Sequence, residues 1–356
     1  MRTVITGSGC YAPDQIIRNA DFSGKQFFEE GGMPVNRNQE EIIAKFQQIT
    51  GIKERRYAQP GMNTSMLGAL AAKEAILSAG IDPETIDQLI VAHNFGEQCM
   101  GVSQADLVPS IAARIKHALS IQNPDCVAYD ILFGCPGWLQ GLIQAHYYSK
   151  AGEARNCLVI GADILSRISD PYDRDSMIYS DGAGAVITQV SQEPGNNGII
   201  GVKSASFACE DVNYIYMGKS YHRAGPGDST SYLKMQGRKV YEFALKYVPA
   251  AIKSCLENAG VLLSEVKKIF IHQANEKMDE AIVERLYRLC QLDRIPGDIM
   301  PMNIQTYGNS SVATIPTLFD MVVKGKMPEH HLSPGDIIVF ASVGAGMNIN
   351  AVCYRC

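Results

Sequence analysis

Four short stretches of the chain carry residues that could do chemistry together. The first is YDILFGCPGWLQG, Tyr129 to Gly141, where an apolar strand-like run stops at Gly134 and a helix-like run begins after Cys135 and Pro136. The N-terminus of a helix offers unpaired backbone N–H groups and a partial positive charge, and both favour a thiolate over a thiol. Pro136 suits the first helical turn, because it has no N–H to waste there and its fixed φ fits helix entry. Gly134 permits the sharp turn that would expose the sulfur. Taken alone, the stretch favours a buried structural cysteine.

The second stretch is KKIFIHQANEKM, in which His272 closes a strand and Asn275 follows just before a helix. A lone histidine there is more often a satisfied polar residue than a catalytic one. The third is TYGNSSVATIP, with Asn309 between Gly308 and two serines ahead of a helix. A helix cap with turn residues explains that pattern as well. The fourth is SVGAGMN near the C-terminus, a glycine-rich turn between strands that reads equally as a tight hairpin. All four lie where strands end or helices start, the place where α/β folds gather active-site groups. A thiolate can take up an acyl group as a thioester. An imidazole N–H and a carboxamide N–H can hold one oxyanion, and backbone N–H groups at Cys135 and in the glycine turn another. That is equipment for carbon–carbon bond formation by Claisen condensation.

The elements that must position these residues alternate along the chain. Helical patterns at Met66–Ala79, VPSIAARIKHAL and GWLQGLIQAHYYSKAG interleave with strand-like runs at Ile86–Gly96, DCVAYDIL, NCLVIGADIL and GAGAVITQV. The second half keeps the rhythm, with a long helix in GRKVYEFALKYVPAAIKSCLENAG, the strand VKKIFIHQ, two further helices and a closing strand pair. This predicts an α/β protein with buried strands. In both halves a helix ending in Ala-Gly, at Ala79-Gly80 and Ala259-Gly260, leads through a short linker to a strand, a hint of internal duplication. We therefore expect an N-terminal half, residues 1–190, carrying the cysteine, and a C-terminal half, residues 191–356, carrying the histidine and asparagine. The polar segment Phe22–Gln48 reads as an insertion with one helix, Gln39 to Gln48.

The bulk numbers exclude several classes. The 356 residues carry a net charge of −5 with no basic block, so nucleic acid is not an expected partner. No run approaches the roughly 18 apolar residues of a membrane span, and the first residues read as a strand rather than a signal peptide. The ten cysteines are scattered in apolar contexts, with one C-x-x-C at Cys353 and Cys356 and no second ligand pair nearby. They predict reduced, buried thiols in a cytoplasmic protein rather than a disulfide framework or a metal site.

FGCPG, HQAN, YGNSS and DGAGAV in this order resemble β-ketoacyl-acyl carrier protein synthase III, a family of the thiolase superfamily. GSGCYAP, TGIKERRYA, DRDSMIYSDGAGAV and MQGRKVYEFA also look like family segments, so the likeness covers nearly the whole chain. The resemblance implies a five-layer αβαβα thiolase-like fold of two duplicated halves, working as a homodimer. It implies Cys135 as the acylated nucleophile, with His272 and Asn309 assisting decarboxylation of a malonyl thioester. It implies backbone oxyanion donors at Cys135 and Ala345. The partners implied are an acyl-CoA or acyl-carrier protein primer and malonyl-acyl carrier protein, and no cofactor.

Departures from the family pattern concentrate at the primer site. The nucleophile motif reads Gly134-Cys135-Pro136-Gly137 instead of Ala-Cys-Ser-Gly. Lys45 and Ile49 stand where the family offers a Trp and an Arg to the adenine of coenzyme A. Arg174 matches a family position near the nucleotide, and Lys277 replaces an Arg that meets the carrier protein, keeping the charge but losing the fork. Glu242 stands at a basic position of the carrier-facing helix. A specialised ketosynthase of dialkylresorcinol or polyketide type is therefore an alternative to fatty-acid initiation. A non-catalytic thiolase-fold partner subunit is a further one, against which the joint retention of Cys135, His272 and Asn309 argues.

Overall fold

The structure is a computed structural model and describes residues 1–102, 104–222 and 230–356. The first half comprises β1 (Arg2–Tyr11), β2 (Gln15–Arg18), α1 (Gln39–Thr50), β3 (Glu54–Tyr57), α2 (Thr64–Ala79), β4 (Gln88–Ala92), α3 (Ile111–Ala118), β5 (Val127–Ile131), α4 (Gly137–Ala151), β6 (Asn156–Ile164) and β7 (Asp181–Ser191). The second comprises β8 (Gly198–Ser206), α5 (Ala208–Asp211), β9 (Ile215–Gly218), β10 (Tyr232–Met235), α6 (Gly237–Ala259), β11 (Val266–Ile271), α7 (Glu276–Leu289), α8 (Ile304–Tyr307), α9 (Thr314–Val323), β12 (Ile337–Gly344) and β13 (Asn348–Arg355).

Two mixed sheets result. One has the strand order β1-β7-β6-β4-β5, the other β11-β12-β13-β8. Each has an antiparallel flank and a parallel run: β4 pairs parallel with β5 and β6, and β11 parallel with β12. Strands β6, β7, β12 and β13 are buried along nearly their whole length. That is why they read in sequence as continuous apolar runs rather than alternating ones. Both of their faces are covered. Helices α2 and α3 pack on the outer face of the first sheet through Leu67, Ala71, Ala75 and Ile115. Helices α6 and α7 do the same for the second through Val248, Ile252, Ile282 and Leu286. Helices α4 and α9 fill the space between the sheets, where Trp138, Leu142, Leu318 and Phe319 meet Phe270 and Phe340. The result is the αβαβα layering that the resemblance implies.

The single tryptophan belongs to this middle layer. Trp138 is 1% exposed, donates from Nε1 to the Val159 carbonyl at 3.3 Å and meets Phe340 edge-on. Helix ends follow local chemistry. Asn63 caps α2 by accepting from the Met66 N–H at 3.0 Å, and Gly80 ends it at φ 65°.

Two details depart from the sequence reading. Helix α1 runs to Thr50, two residues further than expected, and stops at Gly51 in the left-handed region. The residues before it are packed rather than extended: Phe22, Phe27 and Val35 bury a small core with Ile42 of α1 and Met177. All ten cysteines are free, and Cys126, Cys157, Cys255 and Cys353 are buried. Among the described residues no cluster of His, Cys, Asp and Glu could hold a metal, and no helix is long and apolar enough to cross a membrane.

The halves touch where β6 passes the turn ahead of α9. A Cβ at Gly161 would lie 2.4 Å from the carbonyl oxygen of Val312. Gly161→Ala is therefore expected to push the Ser310–Ala313 turn outward and to destabilise the fold by about 1–3 kcal/mol, the usual cost of overpacking. Thermal unfolding of the variant checks this; a midpoint equal to that of the parent protein would contradict it.

Candidate active site

Strand β5 delivers Cys135 through Leu132, Phe133 and Gly134. Gly134 has φ 68°, and its carbonyl accepts from the Gly137 N–H at 2.9 Å, which turns the chain into α4. Pro136 occupies the N-cap rather than the first full turn of that helix. The turn packs backbone to backbone against the one joining β12 and β13. A Cβ on Gly134 would lie 2.6 Å from the Ala345 nitrogen, and one on Gly344 would lie 2.5 Å from the Cys135 nitrogen. No side chain fits between the two turns. Cys135 and Ala345 thus line one cavity with their main chains side by side.

His272 follows β11, and its N–H donates to the Ala341 carbonyl on β12 at 2.9 Å. The ring is 4% exposed, and burial lowers its pKa to about 4. The imidazole is therefore neutral at neutral pH. Among the described residues its buried Nδ1 has no partner, so a proton there would be a stranded donor, and the tautomer carrying N–H at Nε2 is the favoured one. Gln273 was not singled out in the sequence. Its Nε2 donates to the Pro301 carbonyl at 2.8 Å, and its Oε1 accepts from the N–H groups of Asn303 and Ile304, both at 3.0 Å. It thereby clamps the segment leading to Asn309. Asn275 is the N-cap of α7 and accepts from the Met278 N–H at 3.1 Å, which gives it a structural part.

Asn309 is held by main chain on both sides: its N–H donates to the Ile178 carbonyl at 3.0 Å, and its carbonyl accepts from Ser180 at 2.8 Å. Its Oδ1 accepts from the Ser311 N–H at 2.8 Å. That bond fixes the amide and leaves Nδ2 as a donor.

Cys135, His272 and Asn309 line one cavity of about 200 Å³. Its remaining wall is largely apolar, with Phe95, Leu165, Ile215, Met217 and Leu233. Part of that wall is the β9–β10 hairpin, which sequence periodicity did not single out because its two strands have four residues each. Burial pushes the Cys135 thiol up to about 11, against the expectation from the helix N-terminus. The hydroxyl of Ser311 works the other way, donating to Sγ at 3.5 Å.

A larger vestibule of about 690 Å³ shares Met235, Val240, Ala274 and Met278 with this cavity. Lys45 and Ile49 line it from α1, and Arg174 and Arg238 add positive charge. Arg174 faces Glu29 at 3.5 Å, and Arg238 is paired with Glu242 at 2.9 Å. Tyr241 of α6 contributes an aromatic ring to the vestibule, where Lys45 and Ile49 have none. Lys277 is exposed on the first turn of α7 and lines neither cavity.

With this geometry in place, similarity to known proteins becomes informative. Residues 129–206 match the family described as 3-Oxoacyl-[acyl-carrier-protein (ACP)] synthase III, and residues 256–356 match its C-terminal part. Over 100% of this chain and 99% of the relative, the sequence is 33% identical to the beta-ketoacyl-[acyl-carrier-protein] synthase III of Staphylococcus aureus (strain Newman). Identity to the enzyme of the same name from Synechococcus sp. (strain WH7803) is 31%, over 99% of this chain and 95% of that one. The crystal structure of 3-oxoacyl-[acyl-carrier-protein] synthase III from Aquifex aeolicus VF5 superposes with a TM-score of 0.79 at 28% identity, covering 99% of this chain and 100% of the other. The priming beta-ketosynthase of the R1128 polyketide pathway shares the fold, with a TM-score of 0.80 at 22% identity, covering 99% of this chain and 96% of the other. The chain belongs to the 3-oxoacyl-[acyl-carrier-protein] synthase III family, and its fold is that of the thiolase-type condensing enzymes.

Proposed function

We propose that the protein is an acyltransferase of fatty-acid biosynthesis that condenses an acyl thioester primer with malonyl-acyl carrier protein. One observation carries this reading: Cys135 after β5, His272 after β11 and Asn309 in the turn between α8 and α9 line a single, largely apolar cavity. In the first half-reaction the Cys135 sulfur attacks the primer carbonyl, forms a thioester and expels the carrier thiol. The tetrahedral oxyanion is held by the N–H groups of Cys135 and Ala345, whose turns lie in contact. In the second, malonyl-carrier protein loses CO₂. The negative charge that develops on its thioester oxygen is met by Nε2–H of the neutral His272 and by Nδ2–H of Asn309. The resulting carbanion attacks the acyl group on Cys135. The cysteine thiolate leaves, and a β-ketoacyl thioester remains on the carrier.

The vestibule is the entry for the primer arm, borne on coenzyme A or on carrier protein. Arg174 is suited to a phosphate of that arm, and the exposed Lys277 to an acidic carrier protein. The division into halves at residues 190/191 cuts off only Ser191, the last residue of β7, so apart from that residue each sheet is drawn from one half. A cytoplasmic location agrees with ten free cysteines.

The assembly is a homodimer in this reading. Among the described residues strand β5 pairs only with β4 and ends its sheet. Its residue Val127 is 51% exposed, and Leu132 just beyond it is 62% exposed. A bare apolar edge of this kind is covered in natural proteins, and a second copy can continue the sheet there.

Two measurements check the proposal. Asn309→Ala should still acylate Cys135, seen by mass spectrometry, while product formation falls by about 10²–10³. Failure to acylate would reassign Asn309 to the first half-reaction. Sedimentation equilibrium should return twice the chain mass of 38.8 kDa; a monomer at micromolar concentration would refute the dimer.

A further inference from the structure

The environment of Cys135 is unfavourable to charge, yet the proposed chemistry needs a thiolate. Burial raises its pKa, and among the described residues the one side-chain hydrogen bond to its sulfur comes from Ser311. Ser311 has φ 55°, in the left-handed region that non-glycine residues seldom occupy. Such outliers persist where the surroundings over-determine them, and at functional sites above all. Its N–H is bound to Asn309 Oδ1 at 2.8 Å, and its Oγ accepts from Asn94 Nδ2 at 3.0 Å.

Asn94 is fixed in turn by Asp163, at the end of β6. Its backbone N–H donates to Asp163 Oδ1 at 2.9 Å and its Nδ2 to Oδ2 at 2.8 Å. A carboxylate only accepts, so the Asn94 amide cannot flip. Its second Nδ2 hydrogen must then point at Ser311. With its oxygen occupied by an incoming donor, the Ser311 hydroxyl has its own hydrogen to give; the Asp163 carboxylate lies close enough to compete for it, but the acceptor in hydrogen-bond geometry is the Cys135 sulfur at 3.5 Å. The preceding residue anchors the loop: His93 Nε2 meets Asp130 Oδ2 at 2.9 Å, and His93 Nδ1 accepts from the Gly96 N–H at 3.1 Å. Asp130 also accepts from the N–H groups of Ile111 and Ala112 at the start of α3.

We propose that Asp163, Asn94 and Ser311 form a one-way hydrogen-bond chain that keeps a hydroxyl donor on the Cys135 sulfur and so supports its thiolate. Ser311 touches the reacting atom; Asn94 and Asp163 are positioning residues. The inference rests on Cys135 being the nucleophile, but its test reads the thiol and not turnover, so the two can fail separately.

The test is the pH dependence of Cys135 alkylation by iodoacetamide, followed on the Cys135 peptide by mass spectrometry in the purified full-length protein. Two variants separate the chain from a simple tether. Ser311→Gly accepts the left-handed backbone without strain and removes the CH₂OH group, and with it the donor to sulfur. It should raise the apparent thiol pKa by about one unit, a roughly tenfold slower alkylation at neutral pH, with no loss of thermal stability. Asp163→Asn is nearly isosteric and does not touch the sulfur. An amide at 163 donates where the carboxylate accepted, which turns Asn94 round and draws the Ser311 hydrogen away from sulfur. Loss of the Asp163 charge alone would lower the Cys135 pKa, because that charge raises it. Reversal of the chain raises it instead, and a rise is the result expected. An unchanged profile in Ser311→Gly, or an unchanged or lowered pKa in Asp163→Asn, would overturn the proposal. Should Asp163→Asn fail to fold, the profile of Ser311→Gly decides alone.

Discussion

The contact between two glycine turns governs the site. Gly134 and Gly344 bring the main chain before α4 and the main chain after β12 together with no side chain between them. A Cβ at either would land 2.5 to 2.6 Å from a backbone nitrogen of the opposite turn. Because one turn belongs to the first sheet and the other to the second, this contact also sets how the two sheets face each other. The N–H groups of Cys135 and Ala345 are close because the glycines allow nothing else to be. The second turn joins the buried strands β12 and β13, and the first leads into α4, which is packed between the sheets, so both are anchored in the interior.

The duplication explains why the remaining groups arrive at the same place. Helices α4 and α9 occupy equivalent positions between the sheets, and the chain enters each through a tight turn, at Cys135 in one half and at Asn309 to Ser311 in the other. The strands that precede His93 and His272 are also equivalent, each running parallel to its neighbour. One of these histidines faces the cavity, and the other anchors the loop that carries Asn94. A symmetric scaffold thus carries a histidine at each of two matching strand ends, one lining the cavity and the other holding the loop behind it.

Much of this was legible in the sequence. Cys135, His272 and Asn309 stand in short local motifs, and local motifs survive in one dimension. The helix ends at Gly80 and Gly260 were equally plain, since a left-handed residue after a helix calls for glycine. What escaped depends on contacts distant in the chain. Ser311 meets Cys135 across 176 residues and Asn94 across 217, and no periodicity encodes such a meeting. Asp163 sits inside the apolar strand run NCLVIGADIL, and nothing in that run marks it out. The partly exposed β8 alternates too weakly to stand out as a strand. The helix N-terminus at Cys135 was visible, but the burial that opposes it was not, because desolvation is set by the layers above and not by neighbours in sequence. Phe22 to Gln48 looked like an insertion because the segment is polar; its few buried apolar residues find partners elsewhere in the chain, among them Ile17 and the distant Met177.

The account stands or falls on the cysteine as acyl acceptor. Its most direct test is mass spectrometry of the protein after incubation with an acyl thioester, before any malonyl donor is added. We predict one acyl group per chain, on the peptide containing Cys135, and none on Cys135→Ala. An acyl group on a different residue, or full condensation activity in Cys135→Ala, would contradict the account.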